Sequence, residues 1–286
     1  MAKVRLDVLL VERGLIETRE KAKRTIMAGL VYSGQVRLDK PGVKVDDTAE
    51  LTVKGKVIPY VGRGGLKLEK ALDYFGINVE GRTMVDIGSS TGGFTDCALQ
   101  RGAARSYAID VGYNQLDWKL RNDPRVVVME RTNFRYVTPD MLTEGLPNFA
   151  SIDVSFISLR LILPALKEIL ATESDIVALI KPQFEAGRDQ VGRKGIVRDR
   201  NVHMDVLEDT LKFSESLGFQ YKDLTFSPIT GGDGNIEFLV HLAWHNKDAV
   251  SHYPDSHAIK AVVDDAHQQL SARKGASEET MEEDNE

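Results

Sequence analysis

The chain has 286 residues, of which 42% are hydrophobic and 28% are charged, proportions typical of one or two globular domains. A single cysteine, Cys97, excludes an internal disulfide. The sequence has no run of about 18 apolar residues and opens without the apolar stretch of a signal peptide, so we expect a cytoplasmic protein that does not enter a membrane.

The first 60 residues predict a small α+β domain. Residues 5–14 place their leucines on one helical face, and a second helix is expected from an N-cap at Thr18 to Gly29. Short strands follow in VYSGQV and AELTV. Residues 61–80 are expected to form a linker and a leading helix.

The charge is distributed unevenly along the chain. Residues 1–70 contain 15 Lys and Arg against 9 Asp and Glu, a net charge of +6, whereas the whole chain carries −6. A basic first domain on an acidic chain indicates a polyanionic partner for that domain. The exposed cations expected to contact phosphates there are Arg19, Lys23 and Arg24.

Residues 81–245 predict a Rossmann-like fold. Strand-like apolar runs alternate with helical segments, which indicates a parallel sheet with helices on both faces; the runs are MVDIG, SYAIDVG, RVVVMER, FASIDVSF and DIVALIKP. Two further runs, LTFSPIT and NIEFLVHLAW, are joined by GGDGN and predict an antiparallel pair at the edge of a seven-stranded sheet. Residues 246–286 form an extension whose acidic end, ASEETMEEDNE, is expected to be disordered.

A glycine-rich turn follows the first of these strands, in the sequence VDIGSSTGGFT. Glycines there allow the backbone to approach a ligand, but the spacing is not that of the dinucleotide fingerprint. An acid before the turn, Asp86, is expected near the ammonium group of a ligand, and Asp110, at the end of the second strand, near ribose hydroxyls. This combination predicts an S-adenosylmethionine site. Its candidate residues are Asp86, Gly88, Ser89, Ser90, Gly92, Gly93, Phe94 and Asp110, with Glu130 to Asn133 placed near the adenine and Asn133 reading its edge.

Four charged residues stand at the ends of predicted elements: Lys67, Asp153, Lys181 and Glu237. Because the carboxyl ends of parallel strands face the ligand crevice, these side chains are candidates for catalysis. No cluster of His and Cys suggests a metal site.

With these motifs, the sequence resembles the TlyA family of ribosomal RNA 2′-O-methyltransferases, often labelled hemolysin-like, whose catalytic domain is similar to FtsJ. The resemblance covers about residues 1–245. The four charged residues match the Lys-Asp-Lys-Glu tetrad of FtsJ, and VDIGSSTGGFTD matches the cofactor motif. Residues 60–65, YVGRGG, lack the Trp of the Arg-x-Trp segment in the TlyA linker.

The first domain resembles the alpha-L RNA-binding fold, which adds Arg5 to the RNA-contact candidates. The family resemblance implies S-adenosylmethionine as cofactor, ribosomal RNA or ribosomal subunits as partner, and a cytidine ribose as acceptor. In this interpretation Lys181 is the base or stabilises the developing alkoxide, and Lys67 positions the ribose or phosphate. Asp153 and Glu237 then orient the two lysines, and the basic residues 187–200 form a loop over the substrate.

Three alternatives remain at this point: a methyltransferase acting on a small molecule or protein, a membrane-active hemolysin, and an RNA-binding protein without catalysis. The basic first domain disfavours the first alternative, the absence of an apolar span disfavours the second, and the intact tetrad disfavours the third. The oligomeric state is not predicted.

Overall fold

The computed structural model describes residues 3–27, 29–54, 58–232, 234–245 and 253–282, with side chains in the last range up to Leu270. Among these residues the chain forms two compact units, the first within residues 3–63 and the second within residues 64–279.

The N-terminal unit is the predicted α+β domain. Its elements are β1 (Lys3–Arg5), α1 (Leu6–Glu12), α2 (Arg19–Met27), β2 (Val31–Ser33), β3 (Val36–Leu38), β4 (Lys44–Asp46) and β5 (Leu51–Val53). Strand β1 pairs with β4, and β2 lies between β3 and β5, all antiparallel. The Oγ1 of Thr18 accepts the Lys21 amide at 3.2 Å, which confirms the predicted N-cap of α2. Both helices bury their apolar faces in one core with Val31 and Leu51.

The second unit contains the predicted seven-stranded sheet. Its strands are β6 (Thr83–Ile87), β7 (Arg105–Ile109), β8 (Val126–Met129), β9 (Phe149–Ile152), β10 (Ser174–Ile180), β11 (Gln220–Phe226) and β12 (Phe238–Trp244). Its helices are α3 (Gly64–Phe75), α4 (Gly93–Gln100), α5 (Trp118–Arg121), α6 (Leu163–Ile169), α7 (Pro182–Glu185), α8 (Arg200–Ser216) and α9 (Ser256–Glu282).

The strand order is β11-β12-β10-β9-β6-β7-β8. Strands β6 to β10 pair in parallel, whereas β12 runs antiparallel to both β10 and β11, so the predicted fold class is confirmed. The chain moves outward on one side from β6 to β7 and on the other side from β9 to β10. The carboxyl edge between β6 and β9 is therefore the switch point at which open α/β sheets bind ligands.

The antiparallel edge differs from the prediction in its bounds. Strand β11 ends at Phe226, before the predicted SPIT segment, because Pro228 lacks the amide that a ladder needs. Strand β12 begins at Phe238, so Glu237 stands immediately before it rather than within it. Asp233 of the GGDGN turn lies outside the described residues.

Two segments outside residues 81–245 belong to the core of this unit. Helix α3 buries Leu68, Ala71 and Leu72, so part of the predicted linker region is built into the domain. Helix α9 contributes a buried face to the main hydrophobic core; these residues are Ile259, Val263, Ala266 and Leu270. The backbone of α9 is helical through residue 282, where the acidic composition had predicted disorder, and residues 283–286 lie outside the described part.

Two histidines join α8 to α9. The ring of His203 is fully buried, with Nδ1 3.0 Å from His267 Nε2 and Nε2 3.2 Å from the Val197 carbonyl oxygen. Burial, together with the neighbouring His267, lowers the pKa of His203 to about 4, against weaker opposing effects from the Val197 hydrogen bond and Asp199. Burial and then Arg200 lower the pKa of His267, and Asp264 opposes them. Both rings are therefore neutral at pH 7.

This arrangement makes the stability of the unit depend on pH. The unfolded chain binds a proton at His203 below about pH 6.5, whereas the folded protein resists it down to about pH 4, so stability falls as pH drops through this window. The contribution is at most about 3 kcal/mol. We expect urea denaturation at pH 7 and pH 4.5 to show a smaller loss for His203→Gln than for the unsubstituted protein. An identical loss would contradict a neutral buried His203.

Candidate active site

The turn after β6 approaches other parts of the chain closely at two glycines. Gly88 has φ 83°, and a Cβ there would clash with the carbonyl oxygen of Asp153. Gly92 has φ 93°, and a Cβ there would clash with the side chains of Leu116 and Leu120. Glycine is therefore required at Gly88 for conformation and for space, since the obstacle there is backbone, and at Gly92 mainly for its positive φ. The turn carries the chain from the switch point into α4.

Asp86 is placed differently from the expectation that it holds a ligand's ammonium group. It is buried, and its carboxylate accepts hydrogen bonds from the Thr95 amide at 3.1 Å, the Thr95 hydroxyl at 2.8 Å and the Ser151 hydroxyl at 2.9 Å. Burial raises its pKa to about 6 against these hydrogen bonds. Because its oxygens are engaged by protein donors, Asp86 joins β6 to α4 and β9 beneath the site.

A cavity of about 350 Å³ opens at the carboxyl edge of β6, β7 and β9. Its apolar wall is formed by Ile87, Ile109, Val154, Ile157, Phe134 and Ile162. Four of the predicted cofactor residues line it: Gly88, Ser90, Asp110 and Asn133. The other predicted residues, Ser89, Gly92, Gly93 and Phe94, shape the turn and the start of α4 without lining the cavity.

The Asp110 carboxylate is held in a fixed orientation at the cavity wall. Its Oδ2 accepts the Ser90 amide at 2.8 Å and its Oδ1 accepts the Gly112 amide at 2.7 Å. A carboxylate oriented by two backbone amides presents its remaining acceptor sites in fixed directions. The geometry suits two adjacent hydroxyl donors, as on a ribose.

The predicted adenine region is divided between the cavity and the fold. Thr132 and Asn133 line the cavity, and the Asn133 Oδ1 also accepts the Arg135 amide at 3.2 Å. Glu130 does not line it: it binds Arg121 at 2.6 Å and the Gln115 amide at 3.2 Å. The Arg121 hydrogen bond lowers the pKa of Glu130 to about 2, so this carboxylate is committed to a structural ion pair.

The structure brings the four charged residues into one cluster. Lys181 Nζ lies 2.5 Å from Asp153 Oδ1, Lys67 Nζ lies 3.2 Å from Asp153 Oδ2, and Lys67 Nζ lies 2.7 Å from Glu237 Oε2. Lys67, Lys181 and Glu237 are 8%, 7% and 3% exposed. Asp153 also lines the cavity, so the cluster borders the space that a cofactor would occupy.

The two lysines differ in their surroundings. Burial lowers the pKa of Lys67, but the carboxylates of Asp153 and Glu237 outweigh it, and the pKa is raised. Burial raises the pKa of Asp153, and the two lysines outweigh that effect, so it is lowered. Lys67 is thus a fixed cation between two anions, whereas Lys181 shares a single carboxylate and also donates to the Ser155 hydroxyl at 3.1 Å.

Two residues of the site were missed from the sequence. Ser155 contacts Lys181, and Phe156 lines the cavity with 91% of its surface exposed. Phe156 has φ 64°, a strained conformation for a bulky residue, and its ring lies 5.0 Å from that of Phe184. They lie two and three residues after Asp153, so the strand-end position that selected Asp153 was the available signal.

Phe94 was predicted to contact the cofactor, but it packs between helices. It is buried, and the start of α3 at Gly64 approaches so closely that a Cβ there would lie 3.3 Å from the Phe94 ring. The contact fixes the first turn of α3, which carries Lys67.

The N-terminal unit orients two of its predicted RNA contacts around one buried acid. Asp7 is fully buried and receives Arg5 Nε at 2.9 Å and Arg19 Nε at 3.0 Å. The Arg5 hydrogen bond is the main cause of the lowered pKa of Asp7. Lys23 pairs with Glu20 at 2.9 Å, and Arg24 Nε donates to the Glu20 carbonyl at 3.4 Å. Arg5 and Arg19 are thus held side by side with about half of each side chain exposed.

No group of three or more His, Cys, Asp or Glu among the described residues has the arrangement needed for a metal ion. None of the helices in the same part of the chain combines the length and apolar character needed to span a bilayer.

Comparison with known proteins identifies the family. Residues 60–244 match the FtsJ-like methyltransferase model, and residues 4–51 match the S4 domain. The Bacillus subtilis (strain 168) protein YqxC, provisionally named an rRNA methyltransferase, is 64% identical over 272 residues, 95% of this chain and 97% of YqxC. The 16S/23S rRNA (cytidine-2′-O)-methyltransferase TlyA of Mycobacterium tuberculosis is 43% identical over 255 residues, 87% of this chain and 93% of TlyA.

A solved structure from Streptococcus thermophilus, provisionally named a hemolysin, superimposes with a TM-score of 0.77 at 56% identity, covering 96% of this chain and 99% of that one. The family match spans more than half of the chain, and the relatives are matched over nearly their whole length. The chain therefore belongs to the TlyA family of FtsJ-like methyltransferases, with an S4 domain at its N-terminal end.

Proposed function

We propose that this protein transfers a methyl group from S-adenosylmethionine to the ribose 2′-hydroxyl of a cytidine in ribosomal RNA. The observation that carries the proposal is the cluster of Lys67, Asp153, Lys181 and Glu237 at the wall of the cavity that holds Asp110. We choose cytidine as the acceptor because the Mycobacterium tuberculosis relative is named a (cytidine-2′-O)-methyltransferase.

The cavity fits the adenosyl part of the cofactor. Its volume of about 350 Å³, its apolar wall and a few convergent polar groups are what a nucleoside site requires. Asp110 would accept the ribose hydroxyls, and the Asn133 side chain would border the adenine. When bound, S-adenosylmethionine supplies the electrophilic methyl group.

The tetrad supplies the chemistry on the acceptor side. As the 2′-oxygen bonds to the methyl carbon and the carbon–sulfur bond breaks, the hydroxyl proton must leave, and Lys181 Nζ is the group proposed to accept it, after it has first given up its own ammonium proton to solvent. Ser155 and Asp153 hold that nitrogen in place. Lys67, kept charged by two carboxylates, would bind the ribose or an adjacent phosphate and stabilise developing negative charge.

The N-terminal unit is proposed to attach the enzyme to RNA. Arg5 and Arg19, preset by Asp7, present guanidinium groups for phosphate oxygens, and α2 adds Lys23 and Arg24. Such contacts give affinity without selecting a sequence. Assembled ribosomal subunits would then add the shape that selects one nucleotide.

Removal of two α2 cations should weaken RNA binding. For Lys23→Gln with Arg24→Gln we expect RNA affinity to fall about tenfold and the slope of log affinity against log salt to decrease by about 1.5, because two phosphate contacts are lost. Cofactor affinity should not change. The matched control, Lys212→Gln with Lys260→Gln, removes two cations that are each 60% exposed in the other unit. Equal losses in both double variants would contradict a phosphate-binding role for α2.

The proposed function is tested by incubating the purified protein with methyl-labelled S-adenosylmethionine and with free ribosomal RNA, small subunits or large subunits in separate reactions. Label in RNA, abolished by Lys181→Ala, is the expected result. Red-cell lysis is measured in parallel. Lysis without transfer to any RNA substrate would overturn the proposal in favour of a lytic function.

A further inference from the structure

The segment between α7 and α8, residues 187–200, begins six residues after Lys181 and carries five basic residues against two acids. All five cations are exposed: Arg188, Arg193, Lys194, Arg198 and Arg200. Short 3-10 turns at Arg188–Gln190 and Arg193–Gly195 give it a defined path. A cationic segment this close to the tetrad is placed to contact the RNA backbone beside the acceptor ribose, an interpretation that rests on the proposed function.

One buried residue, Val197, anchors this segment. Its amide donates to the Asn235 Oδ1 at 3.0 Å, and its carbonyl accepts from the His203 Nε2 at 3.2 Å. Asn235 also donates through Nδ2 to the Gly195 carbonyl at 2.9 Å. The backbone of the segment is thus held by two buried side chains from outside it.

Asn235 links this anchor to the tetrad. It stands two residues before Glu237, and its own carbonyl accepts the Gly231 amide at 2.9 Å, which closes the turn that leads into β12. Glu237 in turn contacts Lys67. The position of the basic segment and the position of Glu237 are therefore set by the same short turn.

His203 links the anchor to the C-terminal helix. Because the Val197 carbonyl can only accept, His203 Nε2 carries the hydrogen and Nδ1 is an acceptor, so His267 Nε2 must donate to it. A second tie joins the same elements, since Arg200 and Asp264 form an ion pair at 2.6 Å. Helix α9 itself is fixed by its face in the hydrophobic core.

We propose that Asn235, His203 and His267 are positioning residues for methyl transfer. Through them α9 holds the basic segment 187–200 and the Glu237 turn in one arrangement, in which the segment contacts RNA while Glu237 supports Lys67. Helix α9 lies beyond the FtsJ-like match, which ends at residue 244, so this positioning role adds a segment outside that match to the proposed site.

The test compares three α9 variants of the full-length protein: His267→Ala, His267→Gln and His257→Ala. Glutamine retains a side-chain N–H donor, and His257 is an exposed histidine on the same helix. Three quantities are measured: hydrogen exchange of the peptide that contains Val197, the affinity for S-adenosylmethionine, and KM and kcat with ribosomal RNA.

For His267→Ala we expect exchange at Val197 to accelerate and the RNA KM to rise about tenfold, the cost of one lost hydrogen bond, with cofactor affinity unchanged. His267→Gln should restore most of both values, and His257→Ala should change neither.

Equal damage in the alanine and glutamine variants, or loss of cofactor affinity in parallel, would overturn the proposal in favour of general destabilisation. Absence of transfer to RNA by the unsubstituted protein would overturn the proposed function, and exchange at Val197 would then decide whether the α9 link holds the segment.

Discussion

Replacing Lys181 by alanine is expected to lower methyl transfer about a thousandfold, the scale of a lost general acid or base. Lys181 Nζ contacts Asp153 and Ser155, two residues that line the cavity, and the proposed function places the acceptor hydroxyl beside it. Asp153 keeps Lys67 as its counterion, so the fold should survive. Cofactor affinity should stay within about twofold, because the lysine acts on the transition state. Single-turnover transfer to RNA and calorimetry with the cofactor measure the two quantities separately.

Lys181→Arg distinguishes the two roles open to this residue. Arginine keeps the charge but cannot release its proton at working pH, so a general base would not be replaced. We expect Lys181→Arg to be as inactive as Lys181→Ala. The control is Lys222→Ala, an exposed lysine on β11, which should retain full activity. Near-normal turnover by the arginine variant would rule out the base and leave a charge-stabilising role.

Asp110→Asn is expected to weaken S-adenosylmethionine binding by about a hundredfold. The substitution keeps the shape of the side chain, but it removes the charge and one acceptor, and the amide cannot accept from both Ser90 and Gly112 while binding two hydroxyls. Charge-assisted hydrogen bonds contribute about 1.5–3 kcal/mol each, which is consistent with this loss. Calorimetry tests it, with Asp140→Asn, an exposed acid, as the control. An unchanged dissociation constant would remove Asp110 from the site.

Much of the fold followed from apolar periodicity. The alternation of strand-like runs and helices is sufficient to predict a parallel sheet. The last two runs, which no helix separates, are sufficient to predict its antiparallel edge. The boundaries were less predictable where a single residue decides them, as Pro228 does for β11. Helix α9 was missed although its four core residues, Ile259, Val263, Ala266 and Leu270, have the i, i+4, i+7, i+11 spacing of an amphipathic helix.

The site was predictable where topology alone fixes position. Asp110, Asp153 and Lys181 all follow strands of the parallel sheet. The carboxyl edge of the sheet brings them together independently of the conformation of the loops. Asp86 shows the limit of that rule. It is the penultimate residue of β6, and its side chain points to Thr95 and Ser151. The sequence alone does not show on which face of the strand the cavity lies.

Interactions between distant segments were not predictable. Nothing in the local sequence pairs His203 with His267, or Asn235 with Val197, because each contact depends on how helices and turns pack in three dimensions. Phe156 was visible as an aromatic residue three positions after Asp153, but its exposure and its strained backbone are properties of the folded loop.

The tetrad is proposed to direct a methyl group to a ribose 2′-oxygen rather than to a base. The most direct measurement is alkaline hydrolysis of RNA labelled by the enzyme, because a 2′-O-methyl group removes the hydroxyl that cleaves the adjacent phosphodiester. The label should be recovered in alkali-resistant dinucleotides whose 5′ nucleoside is a methylated cytidine. Lys181→Ala should yield none of this product. Label recovered in mononucleotides, on the base, would contradict the proposal.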